Sequence, residues 1–235
     1  MNSWNKQAKE ISTSLGLKQP AVGVVLGNER PQGIDEFEGR VPAGCSFWQI
    51  GQTRTVSTVT KDHENCSIGV HTHTLADPSP NVADDLGEVL KTMASLTYVR
   101  DEDVARIPVM RNASSVVTYG PAESMALEPA VVLLLANGAA GLLIAEALEQ
   151  VDGEAPRALG RPACALVPAV LNGGVGAASL GCCGARVYVD SLTDEIAIWG
   201  LPGDKLGAYA ERIVALANAN QELTGYHEAR RKELS

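Results

Sequence analysis

The residues best suited to chemistry in this chain are soft and few. There are 5 cysteines in 235 residues. Cys45, Cys66 and Cys164 stand alone, while Cys182 and Cys183 are adjacent in the glycine-flanked segment GCCGARVYVD. Thiolate is a soft ligand that suits zinc and iron–sulfur clusters. Structural zinc sites commonly use cysteine pairs with two to four residues between them, and no such pair occurs here. A site made of Cys45, Cys66, Cys164 and Cys182 must therefore be assembled by the tertiary fold from four separate elements. That favours a buried [4Fe-4S] cluster, which takes four cysteine ligands, with zinc as the alternative cofactor. Glycines beside the thiols, in AGC, SIG and LGCCG, would let backbone amides approach cluster sulfides. A single free cysteine usually serves as a small buried hydrophobe. A metal-free thiol-redox or binding module is accordingly a third reading.

Three histidines flank Cys66 in KDHENCSIGVHTH: His63, His71 and His73. Read as a strand, this stretch puts His71 and His73 on one face. They are candidates for metal ligation, proton relay or anion binding, against the plainer reading of a polar strand edge. A Cys–His nucleophilic dyad at Cys66 lacks an evident third, orienting residue. Arg186 follows Cys182 by four residues and could clamp a carboxylate or phosphate with two N–H prongs. The alternative for Arg186 is a salt bridge to Asp190 or Asp194. His63, His71, His73 and Arg186 are thus the candidate catalytic groups around the four cysteines. The loops GNERPQG and NGGVGAASLG match no dinucleotide or P-loop fingerprint.

The elements that must position these groups are partly legible. Apolar spacing at Trp4, Ala8, Ile11 and Leu15 predicts an amphipathic helix over 3–15. AVGVVLG (21–27), RTVSTVT (54–60), SSVVTYGP and AVVLLLA read as strands. CSFWQIGQ reads as a short helix. Asp84 or Asp85 is expected to cap a helix through LGEVLKTMASL, and LLIAEALEQV to form another. DGEAPRALGRP reads as a loop, after which Pro162 opens a helix containing Cys164. RVYVD and EIAIWGLP read as a strand hairpin. The chain ends in a long helix, with a break expected near Gly225. QPAVGVVLGNE at 19–29 echoes EPAVVLLLANG at 128–138, and each is followed by two cysteines in similar order. The expectation is an α/β or α+β protein with a mixed sheet and packed helices. It forms a single domain over 1–235, with an internal duplication of 20–100 and 129–220 into two pseudo-symmetric halves.

Bulk composition narrows the partners. The net charge is -9, and the only basic cluster is EARRKEL near the end. That disfavours nucleic acid, whose binding needs a concentrated positive face. The apolar run from Pro129 to Val151 is interrupted by ANGAAG and carries glutamate, so it reads as strand, turn and helix instead of a membrane span. The N-terminal stretch lacks the apolar core of a secretory signal. A cytoplasmic, reducing setting follows as the expectation, in which free thiols are metal-bound or catalytic more often than paired. The expected partners are a small-molecule substrate or an electron-transfer protein, with homo-oligomerisation open.

The elements CSFW (45–48), NCSIG (65–69), ACA around Cys164 and GCCGAR (181–186) resemble the pattern of domain-of-unknown-function family 169. The similarity runs from the first helix to the tail NANQELTGYHEARRKEL. The family pattern picks out Cys182 and leaves Cys183 in the variable place beside it. The resemblance implies no activity. The iron–sulfur reading, with redox or Lewis-acid chemistry on a small molecule, rests on the residues alone.

Overall fold

The computed structural model describes residues 2–235. Valine- and leucine-rich segments suit a pleated surface, and they supply the middle of one seven-stranded mixed sheet. Its strands are β1 (Val22–Gly27), β2 (Val56–Val59), β3 (Val116–Pro121), β4 (Val131–Ala136), β5 (Arg157–Leu159), β6 (Ala177–Ser179) and β7 (Ala197–Pro202). The order across the sheet is β2-β3-β1-β4-β7-β6-β5. All neighbours are antiparallel except β5 and β6. The α-helices among the described residues are α1 (Ser3–Leu15), α2 (Ser46–Gly51), α3 (Thr60–His63), α4 (Ser67–His73), α5 (Pro80–Ser95), α6 (Asp101–Val104), α7 (Gly138–Asp152), α8 (Leu166–Gly173), α9 (Cys183–Tyr188) and α10 (Leu206–Glu233). The fold is therefore α+β.

Alternation along the strands divides the interior into two layers. On β4, Val131, Leu133 and Leu135 face one core, together with Cys45, Trp48, Val70, Cys164 and Leu166. Val132, Leu134 and Ala136 face the other, together with residues of α1, α7 and α10. The thiols thus belong to one side of the sheet together with α5, and α1, α7 and α10 cover the opposite side.

Outward from the central pair, the first half reads β1-β3-β2 and the second β4-β7-β6. In each half the first strand is central, the second is outer and the third fills the gap. Cys45 lies between β1 and β2, and Cys66 follows β2. Cys164 lies between β4 and β6, and Cys182 follows β6. This repeated order spans 22–121 and 131–202. It passes the expected boundary at residue 100, because β3 is needed to complete the first half. β5, read from the sequence as loop, adds a parallel edge strand in the second half only.

Several local expectations differ from the structure. RVYVD is not a strand. Residues 183–188 form α9, the Cys182 Sγ accepts from the Ala185 N–H at 3.5 Å, and β7 pairs with β4 and β6 instead. Val187 is 73% exposed, so no partner strand was available to exploit the alternation. α5 begins at Pro80, ahead of Asp84 and Asp85, since proline loses no hydrogen bond in a first turn. α10 runs unbroken through Gly225.

α7, α10 and the residue before β6 are tied together by one buried carboxylate. Asp152, at the end of α7, accepts from Lys205 Nζ at 2.9 Å, Tyr209 Oη at 2.8 Å and the Gly176 backbone N–H at 2.9 Å. Its side chain is 1% exposed. Asp152→Ala would leave the buried Tyr209 hydroxyl without its acceptor, while Lys205 can turn to water. The expected loss is about 3 kcal/mol, read as a lower urea midpoint at unchanged slope.

Candidate functional site

Each of the four patterned cysteines sits where a helical segment begins. Cys45 precedes α2, Cys66 precedes α4, and Cys182 is the capping residue of α9. Cys164 lies in a 3-10 turn, Ala163–Ala165, that runs into α8. All four line one cavity of about 480 Å³. Cys45 and Cys164 are buried, Cys66 and Cys182 are half-buried, and Cys183 is exposed while still contributing to the same wall. Two glycines permit the close fit. A Cβ on Gly69 would stand 3.1 Å from the Cys66 Sγ, and Gly181 holds a left-handed φ of 80° immediately before Cys182.

Burial pushes the Cys45 thiol up to about 12, and the neighbouring Cys66 and Cys182 sulfurs add to the rise. The N–H groups of Cys45 and Ser46 pull weakly the other way. Cys164 is raised by burial and then by Cys66, with Cys182 and Cys45 adding less. The Thr72 hydroxyl opposes this by donating to its Sγ at 3.4 Å. Cys45 and Cys164 are thus neutral thiols at neutral pH when nothing positive stands among them. A bound cation would invert that balance, because it favours the thiolates that burial and mutual repulsion disfavour.

The donor set suits a soft metal centre. Among the described residues, no group of three or more His, Cys, Asp or Glu is arranged to hold a metal ion. One zinc ion with four thiolates would bring its sulfurs within about 3.8 Å of each other, the edge of a tetrahedron with ~2.3 Å bonds. A four-iron cluster takes one thiolate on each iron and so asks for a wider ring of sulfurs.

The histidines separate. His71 and His73 lie on α4, not on a strand, and two residues along a helix point to nearly opposite sides. His71 is exposed and lines the cavity. His73 is buried, with Nδ1 3.1 Å from the Gly69 carbonyl oxygen and Nε2 without a partner among the described residues. His63 is buried with Nε2 2.8 Å from the Thr58 hydroxyl, and its ring packs on Phe47. Neither His63 nor His73 lines the cavity. Arg186 does not line it either. Its Nη1 donates to the carbonyls of Thr193 (2.6 Å) and Leu192 (3.4 Å), and its Nη2 to those of Leu180 (2.6 Å) and Ile196 (3.3 Å). It pairs with neither Asp190 nor Asp194 and instead ties the loop between α9 and β7 to Leu180, ahead of α9.

Other groups at the site went unread in the sequence. Thr72 touches Cys164 directly. Tyr119 lies behind the thiols, close enough that Cys164, Cys45 and Cys66 each raise its phenol further above the level set by burial. Inward alternation along β3 could have picked out Tyr119. Arg161 also lines the cavity and stacks on Tyr98, 3.6 Å from the ring centroid, and no local pattern signals that contact.

Residues 10–212 match the family described as domain of unknown function 169, an uncharacterised ArCR family. The chain belongs to this family. No curated protein and no solved structure matches it. Among the described residues, no helix is long and apolar enough to cross a membrane.

Two outcomes follow from these contacts. Burial holds His63 down to about 3, with the charge of His73 adding to the drop, and burial holds His73 down to about 4. Unfolded histidine titrates near 6.5. Below that pH the unfolded chain takes up protons that the folded chain refuses. This contribution is therefore full above about pH 6.5 and lost as pH falls towards 4, at about 1.4 kcal/mol per pH unit for each ring. Urea unfolding between pH 7 and pH 5 should show the slope, and His73→Gln should remove about half of it. Separately, Arg186→Ala should cost about 3 kcal/mol. Arg186→Lys should recover only part, since an ammonium cannot reproduce the planar fork across four carbonyls; melting temperatures of both variants check this.

Proposed function

We propose that Cys45, Cys66, Cys164 and Cys182 hold a [4Fe-4S] cluster, and that the protein uses it on a small molecule admitted to the adjoining cavity. The observation that carries this reading is the meeting of four thiols, from four separate helix starts, on the wall of one cavity. Held by all four thiolates, such a cluster would supply one-electron redox chemistry; Lewis acidity would require one of the four cysteines to leave its iron free.

The chain's own residues divide the remaining work. Thr72 donates to the Cys164 sulfur and so favours its thiolate form. Gly69 lets the backbone of α4 lie against Cys66. The apolar wall keeps Cys45 and Cys164 buried, while Cys66 and Cys182 stay half-buried. His71 lines the cavity and is the histidine placed to exchange a proton with a bound molecule. His63, His73 and Arg186 support the packing around the site. A reducing, cytoplasmic setting suits unpaired thiols, and a redox role would require an electron-transfer partner.

Anaerobic purification followed by iron, sulfide and zinc analysis tests the proposal. The expected outcome is a brown protein with about four iron and four sulfide per chain. A colourless protein holding one zinc would replace the cluster with structural zinc, and a metal-free one would leave a thiol module. Cys45→Ser, Cys66→Ser, Cys164→Ser and Cys182→Ser should each lose iron and melt lower, because metal-binding free energy is also folding free energy. Cys183→Ser should keep its iron.

A further inference from the structure

The thiols form only part of the cavity wall. Much of the rest comes from α5, where Leu86, Val89, Leu90 and Met93 follow one another at helical spacing and all line the cavity. Such a stripe normally meets a core. Here Val82 is the one buried residue of the helix, and the four cavity-lining side chains stay half-buried. The chain therefore folds an apolar helix face against a space that it does not itself fill. At about 480 Å³, that space is in the range of small-molecule sites, roughly 300–1000 Å³.

One cation stands in this wall with its charge unspent. Arg161 forms no ion pair among the described residues. Its guanidinium lies over the Tyr98 ring, 3.6 Å from the centroid. Stacking occupies the face of the plane and leaves the in-plane N–H groups to bind a carboxylate with two prongs. The acidic groups of the wall do not compete strongly. Asp103 accepts twice from Arg100, at 2.7 and 2.8 Å, and Asp85 is exposed on α5.

We propose that the cavity binds a small organic monocarboxylate with an apolar body, its carboxylate on Arg161 and its hydrocarbon against the α5 stripe. This deepens the reading of the thiol cavity given above, on which it rests for the role of the bound acid as substrate. A single carboxylate is specified because Arg161 is the one lysine or arginine among the described residues of the cavity wall. The apolar body is specified because short acids would leave the stripe uncovered.

Octanoate, 1-octanol and acetate, titrated calorimetrically into the anaerobically purified full chain, test the proposal, with iron determined on the same samples. Octanoate should bind at least about tenfold more tightly than octanol, which lacks the charge, and than acetate, which lacks the body. Arg161→Gln should weaken octanoate by roughly ten- to a hundredfold and leave octanol unchanged. Leu90→Trp, which fills the cavity, should weaken both. Octanoate binding no tighter than octanol, or unaffected by Arg161→Gln, overturns the proposal. So does the absence of octanoate binding in a sample that retains its iron. Arg161-dependent octanoate binding in a sample without iron upholds the acid site and removes the cluster reading alone.

Discussion

The antiparallel pairing of β1 with β4 is the contact on which the arrangement depends. Only Val22 with Leu133, Gly23 with Val132, and Val24 with Val131 are in register there. Yet this short ladder joins the two halves of the sheet, and with them two sets of cysteines far apart in the chain. Backbone hydrogen bonds fix which side chains face which layer, since a slip of one residue would exchange the faces. In the observed register Val22, Val24, Leu133 and Val131 all look towards the thiol side. Cys45 and Cys66 then reach the same cavity as Cys164 and Cys182.

The two sides of the sheet solve different problems. On the side of α1, α7 and α10 the packing is apolar and the one deep charge, Asp152, is fully bonded. On the other side the chain gathers titratable sulfur in a wall that burial makes hostile to charge. Cys45 and Cys164 are held as neutral thiols by that burial and by each other's neighbours. Such a wall is electrostatically unfinished. It costs little while the thiols are protonated, whereas a thiolate there would need a positive charge beside it.

The polar residues nearest the thiols are graded by depth. His63, His73 and Tyr119 are buried and locked into packing with Phe47, Thr58 and the Gly69 carbonyl. His71 and Arg161 are exposed groups of the cavity wall. Groups of the first kind hold the thiol-bearing helices in place, and groups of the second kind can meet a visitor. The half-buried stripe of α5 belongs with the second kind.

Several features were determined by the sequence alone, because they depend on local periodicity or on residue chemistry. Trp4 to Leu15 follow helical spacing, and α1 covers the same span. The valine-rich runs became β1 and β4, and the apolar stretch Pro129–Val151 became a strand and a helix with Asn137 as the cap between them. Four cysteines stood out as one set by pattern. Tertiary structure decided the rest. Short segments carry too few residues to establish a period, so RVYVD and the stretch around His71 and His73 took the form their neighbours allowed. β6 and β5 are three residues each and owe their strand geometry to the ladder they extend. The use of Arg186 on four carbonyls, and the stacking of Arg161 on Tyr98, bring together groups whose contact no local spacing encodes. Which residues share a cavity is a property of how distant elements pack, and that emerges only when the sheet has closed at its centre.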